Sequence, residues 1–397
     1  MAKAFSEAEW RRIHERLDGR EAEYGLPERR RDSVVLTSFN IRKLGGKPRT
    51  AGAWWLLQLL GERSDLLAVQ EIQDDLSGIN HLKTLLGERY GLAASDITGS
   101  YPGQRPAPER LGFLFRWDRI QRTEIASDIT YDRSKMIETL YAMRVELTER
   151  FDIYSEKLDD WRNGERKSKP RIRLPDFLTF IRQPHCVSFR IPGHGRAEPY
   201  EFMAINAHLL FGTKRERQWE FEALIAWLID RAKQVERIYH KNFILLGDLN
   251  LDFHEVDRRR DRVERFIKSL NRGPLADTRT TINFPFMTVH PERLHLPEAQ
   301  QIFRTNARLD QTYDHIALLN HDPRLPSPDA NDVAGKHGPD GFDYGVFNFV
   351  QLFLDALELG PLESLDPEVE KHFFRRFEHD VSDHMPLWIR LPLPREA

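Results

Sequence analysis

Apolar runs in this chain stop, again and again, at a carboxylate, an amide or an imidazole. SVVLTSFNI (33–41) closes on Asn40, DLLAVQE (65–71) on Glu71, EFMAINAHL (201–209) on Asn206 and His208, and NFILLGDLN (242–250) on Asp248 and Asn250. Between the first two lies TAGAWWLLQLLGER (50–63), which puts Trp55, Leu56, Leu59 and Leu60 on one helical face. Between the last two, apolar residues recur at 221, 224, 225, 228, 232 and 235, the spacing of an amphipathic helix. Strand, helix, strand is thus written twice. RLGFLFR (110–116), CVSFRI (186–191), TYDHIALL (312–319) and PLWIRL (386–391) predict further strands, several joined by turns too short for a parallel crossover. The chain therefore reads as α/β with mixed sheets.

Around this frame, residues 1–31 predict a helical extension, with Ser6 and Glu9 spaced as a capping box, and residues 32–397 a single catalytic domain. Two stretches depart from the strand–helix pattern and read as insertions, at about 131–180 and 320–377. No repeat of 20 to 50 residues is present. A net charge of only -3 excludes a global basic field, so a polyanion has to be caught locally. The basic runs at 164–173 and 257–265 read as solvated faces; GKPR (46–49), next to Asn40, is the candidate patch. A single cysteine, Cys186, excludes an intrachain disulfide, the first residues lack the apolar core of a signal peptide, and no run approaches the roughly 18 apolar residues of a membrane span. A cytoplasmic location, with no membrane and no obligate protein partner, is expected.

Strand side chains alternate, so Asn206 with His208, and Asp248 with Asn250, each share a face. Taken singly, each has a common structural explanation as a turn former or a hydrogen-bonded core residue. Taken together, several acids converging behind apolar walls would repel one another unless a cation compensated them, and oxygen ligands favour Mg²⁺, with Mn²⁺ or Ca²⁺ as alternatives, over zinc. Opening a phosphodiester needs one group to take a proton from water and another to give one to the leaving oxygen. His208 and His384 are the natural pair, and carboxylates on their far ring nitrogens would fix their tautomers, with Glu109 and Asp314 as the candidates. In DVSDHMPLWIRL (380–391), Asp383 and His384 serve one site only if both sit in the turn before the strand.

FNIRKLGG (39–46), VQEIQD (69–74), ERLGFLFR (109–116), GDLNLD (247–252), YDHIAL (313–318) and SDHMPLWIRL (382–391) resemble, in order, the motifs of the endonuclease/exonuclease/phosphatase superfamily, most closely its deoxyribonuclease I branch. The resemblance implies two packed mixed β-sheets flanked by helices, a four-layer α/β/β/α sandwich carrying the helical insertions. It implies a divalent-metal-dependent nuclease acting on DNA, with endonucleolytic cutting favoured. Asn40, Glu71, Asp248, Asn250 and Asp383 match metal positions. His208 with Glu109 and His384 with Asp314 match the catalytic pairs, beside Asp248. Arg42 and Arg182 match phosphate-contacting arginines, and Asn206 and Asn250 are further candidates for phosphate. Gln73 and Ala107 stand where that branch has DNA-touching arginine and tyrosine, so substrate choice does not transfer with the chemistry. The alternative reading is a phosphatase or phosphodiesterase acting on inositol phosphates, phospholipid headgroups or RNA.

Overall fold

Each predicted strand–helix–strand unit is a parallel crossover. β1 (Ser33–Leu44) and β2 (Leu66–Ile72) pair in parallel across α2 (Ala51–Arg63); β7 (Tyr200–His208) and β8 (Asn242–Asp248) do so across α5 (Lys214–Lys233). The computed structural model describes residues 4–45, 48–97, 108–130, 137, 140–170, 172, 180, 182–211, 214–234, 236–251, 265, 267–276, 278–287, 304–325 and 344–396.

All other strand pairings among these residues are antiparallel, so both sheets are mixed. The first sheet runs β11 (Tyr344–Val346), β12 (Leu387–Pro392), β1, β2, β4 (Arg110–Arg116), β3 (Tyr90–Ala94). The second runs β5 (Gln121–Asp128), β6 (His185–Ile191), β7, β8, β10 (Asp314–Asn320), β9 (Thr281–Asn283). Three apolar clusters separate four layers. Val34, Leu36, Phe113 and Leu387 of the first sheet meet Phe189, Phe202, Ile244 and Ile316 of the second in the central one. The outer face of the second sheet packs on Leu224, Ile225 and Leu228 of α5. The outer face of the first sheet is covered by α1 (Glu7–Leu17), α2, α3 (Ser77–Leu86), α6 (Phe349–Ala356) and α7 (Pro367–Asp380). This is the expected α/β/β/α sandwich. No helix among the described residues is long and apolar enough to cross a membrane.

The stretches outside the motifs behave differently from one another. Of 131–180, the described part contains α4 (Arg144–Arg162), with Leu147 its one buried residue and Val145, Phe151 and Ile153 exposed. The stretch from 320 to 377, by contrast, supplies parts of the sandwich: β11 on the sheet edge and α6, six of whose eight residues are buried. The N-terminal helix joins the same core. Its capping box forms as expected, and Trp10 lies over Gly52 of α2, where a Cβ would collide with the indole, while its ring meets Phe353 edge-on with centroids 5.2 Å apart. Trp10→Ala is therefore expected to cost about 3–5 kcal/mol in denaturant unfolding. A loss below about 1 kcal/mol would mean that α1 is a peripheral attachment.

Candidate active site

The register of the second sheet brings three of the predicted residues side by side. His208, the last residue of β7, pairs with Asp248, the last of β8, and Asp248 pairs in turn with Asp314, the first of β10. Gly247 makes the close approach possible: its φ is 149°, and a Cβ there would strike the carbonyl of Ala207. From the first sheet, Asn40 and Glu71 reach the same end of the sandwich. The β1–β2 pairing shifts register between Asn40 and Leu44, and Lys43 and Glu71 there have φ of 50° and 58°. Such a bulge re-aims side chains at the cost of local strain. Glu109 sits just before β4, and Asp383 and His384 just before β12, both strands running antiparallel to their neighbours and so starting at this end.

The centre of the constellation is Asp248 Oδ2. Asn40 Nδ2 donates to it at 3.1 Å, His208 Nε2 lies 3.4 Å away and His384 Nε2 3.5 Å away. Each imidazole is held from behind by its own carboxylate, His208 Nδ1 by Glu109 Oε1 at 2.5 Å and His384 Nδ1 by Asp314 Oδ2 at 2.8 Å. The far nitrogens are thus fixed and both Nε2 atoms face one point. Burial, and for His208 the nearby Arg182 guanidinium, push the imidazoles towards the neutral form, but the carboxylates outweigh this. Glu109 and Asp248 raise His208 above the ordinary histidine range, and Asp314, Asp248 and Asp383 raise His384 well above it.

Asn40 Nδ2 also donates to Glu71 Oε1 at 3.4 Å, while Glu71 Oε2 accepts from the Lys43 backbone at 3.0 Å. Three buried oxygens of the site have no hydrogen-bond partner among the described residues: Asn40 Oδ1, Asp314 Oδ1 and Asp383 Oδ1. Partnerless buried oxygens beside carboxylates fit a hard divalent cation. Asp248, Asp314 and His384 also offer ligand atoms within 4.8 Å of one another. However, Asp314 and His384 already engage each other, which leaves Asp248 as the member shared with the oxygen set.

Other expected residues occupy different places. Asn206 points to the same side as His208 but one step deeper between the sheets. Both its amide hydrogens go to backbone carbonyls, Val69 at 3.0 Å and Gly112 at 2.9 Å, and its oxygen accepts from Gln70 at 2.6 Å. It is a bridge across the sandwich with no N–H left for a phosphate, a correction to its expected role. Asn250, at φ 49°, gives its backbone N–H to Asp248 Oδ1 and its side chain to the Leu209 carbonyl, so it braces the aspartate. Arg182 Nε lies 2.8 Å from Glu109 Oε1, on the second-sheet side. Arg42 donates to Glu378 at 2.7 Å and passes 3.7 Å from Asp383 Oδ2. Ser382, Glu378 and Gln70 were not singled out from the sequence. Ser382 Oγ donates to the Asn40 carbonyl at 2.7 Å and so ties the His384 turn to β1; its place directly before Asp383 was the available signal.

No family model matches the sequence, and no curated protein matches it. Solved structures do resemble it. The catalytic domain of human Nocturnin with bound sulfate is 13% identical over 91% of this chain and 95% of that one, with a TM-score of 0.44. An endonuclease/exonuclease/phosphatase family protein from Bacteroides thetaiotaomicron is 14% identical over 91% and 98%, at 0.43. D. rerio TDP2 complexed with single strand DNA product is 14% identical over 90% and 98%, at 0.42. At such identities and TM-scores the likeness adds no argument to the site's own geometry.

The protonation states give a test in metal-free buffer. A histidine whose folded-state pKa is raised contributes stability that is full below its unfolded value of about 6.5 and is lost as pH rises through the folded value. The thermal midpoint in EDTA is therefore expected to fall as pH climbs from about 6 to 9, and to fall less in His384→Asn. A wild-type midpoint that rises over this window would refute the charged pairs.

Proposed function

We propose that this chain is a divalent-metal-dependent phosphodiesterase of the endonuclease/exonuclease/phosphatase superfamily, and that it cuts DNA internally by a two-histidine mechanism. The observation that carries the reading is the meeting of two imidazole Nε2 atoms at Asp248 Oδ2, each imidazole fixed by a separate buried carboxylate. Compensating the charge of Asp248 would account for one imidazole beside it; two, each backed by its own carboxylate, also suit an acid–base pair.

Glu71, Asp248 and Asp383, with the amide oxygen of Asn40, are the residues that would hold the cation. Mg²⁺ is the first candidate; when bound it would relieve the repulsion among these carboxylates and offset charge gathering on the phosphoryl oxygens. The remaining work falls to the chain's own groups. His384, backed by Asp314 and the more strongly raised of the two, donates the proton to the leaving oxygen. His208, raised less because Arg182 opposes Glu109, takes the proton of the attacking water on Nε2 from its neutral form. Arg42, on the Asp383 side, supplies a guanidinium to the phosphoryl oxygens. The DNA preference rests on the motif resemblance, and a nucleic acid is the expected partner.

Plasmid nicking is expected to need Mg²⁺ or Mn²⁺, to stop in EDTA, and to fall by about 10²–10⁴ in His384→Ala and in His208→Ala. The two variants should separate on bis(p-nitrophenyl) phosphate, whose leaving group departs without a proton. His384→Ala should recover most of its activity there and His208→Ala should not. Equal losses on both substrates would remove the acid and base assignments. Phosphate release from inositol phosphates without nicking would move the reading to a phosphatase.

A further inference from the structure

A second feature lies beside the reaction centre and shares Arg42 with it. A cavity of about 420 Å³ opens between the end of β1, the start of α2 and the exposed face of α7. Arg42 and Lys43 enter it from β1, Arg49 from the turn before α2, Arg308 from the loop before β10, and Lys371 and Arg375 from α7, with Glu378 the one carboxylate in the lining among the described residues. That carboxylate is already taken by Arg42 at 2.7 Å, with Arg308 3.9 Å from its other oxygen. Arg308 also lies 3.5 Å from Glu370, and Lys371 3.4 Å from Glu368, yet both line the cavity.

Arg49 is the most informative member. Its Nη2 donates to the Arg42 carbonyl at 2.6 Å, but its Nε is buried with no hydrogen-bond partner among the described residues. Burial of the guanidinium pushes its pKa down to about 10. Holding a buried cation with an unmet donor costs free energy that an incoming anion would recover. Six cations are thus gathered around a volume within the roughly 300–1,000 Å³ of small-molecule sites. The space suits a phosphorylated sugar or a single nucleotide and is too small for a duplex.

Resting on the phosphoesterase reading above, we infer that this cavity is a second anion subsite, which holds a phosphate of the substrate other than the one cleaved. Arg42 belongs to both places, bordering Asp383 on one side and the cavity on the other, so the two phosphates would lie on either side of one guanidinium. The consequence is selection for substrates with at least two phosphates, whether successive groups of a strand or those of a small polyphosphate.

Lys371 and Arg375 are exposed on α7 and take no part in the reaction centre, so Lys371→Ala/Arg375→Ala should fold, as an unchanged thermal midpoint would verify. Calorimetry with inorganic pyrophosphate in EDTA should show binding to the wild type and binding weakened roughly tenfold or more in the double variant. A control pair on α4 and its following loop, Lys157→Ala/Arg166→Ala, should leave it unchanged. Kinetically, the α7 variant should keep wild-type turnover of bis(p-nitrophenyl) phosphate while KM rises about tenfold for a 5′-phosphorylated dinucleotide, or for an inositol polyphosphate if the small ligand is the true one. Absent pyrophosphate binding, or binding equal in wild type and α7 variant, overturns the subsite. If pyrophosphate binding is lost as expected but the wild type turns over no phosphate ester, the subsite stands and the catalytic reading fails.

Discussion

A carboxylate with almost no access to water sits where two sheets meet, and the rest of the site is arranged around it. Asp248 is 1% exposed; one oxygen takes the Asn250 backbone N–H and the other faces Asn40, His208 and His384. A buried charge survives only when its surroundings compensate it. Two raised histidines supply that compensation without metal, and the same charges leave both imidazoles pointing at one carboxylate oxygen, beside which the proposed mechanism puts the phosphoryl group. Structural need and the proposed chemical use coincide because both are answers to one electrostatic problem.

Placing the groups depends on holding the sheets in fixed relation, and apolar packing alone does this loosely. Between them the Asn206 amide bridges Val69 and Gly112 of the first sheet and accepts from Gln70, all in the buried interior. An amide whose two N–H groups and oxygen are all engaged in a low-dielectric interior tolerates little displacement. It lies one strand step below His208, so any slip of β7 against β2 and β4 would break it before His208 moved away from Asn40 and Glu109. Its role is to set the separation that lets Asn40 of one sheet reach Asp248 of the other.

The two crossover units were legible because their periodicities are strong, and the strands with apolar cores fall within a few residues of expectation. The site was legible wherever a strand end is regular: His208, Asp248 and Asp314 follow directly from register. Glu71 is reached through a bulge that alternation cannot foresee, and Asn206 shows the opposite failure, since a period of two gives the face of a residue but not its depth. β11 and β9 have three residues each, too few to carry a period, and β5 has a polar, half-exposed pattern with no apolar face to read. The stretch that holds α6 and most of α7 reads as an insertion, because a strand as short as β11 leaves nothing in the sequence to tie these helices to the sheet.

That misjudged segment changes how the site is understood. On α7, Phe373, Phe374 and Phe377 enter the core while Lys371, Arg375, Glu378 and His379 share the opposite face, as a 3.6-residue period requires. The buried face is clamped by the N-terminal segment: Asp380 accepts the Phe5 N–H at 2.8 Å, Arg376 meets Glu9 at 2.5 Å, and the Arg376 guanidinium lies 4.2 Å over the Phe5 ring. The exposed face reaches Arg42 through Glu378, and Ser382 of the turn that follows reaches the Asn40 carbonyl. A line of direct contacts therefore runs from the first helix, through α7, to both the end of β1 and the His384 turn. Elements that look appended in sequence are the buttress of the edge that carries Asn40 and His384, because α7 cannot present Glu378 to Arg42 unless its apolar side is held against the core.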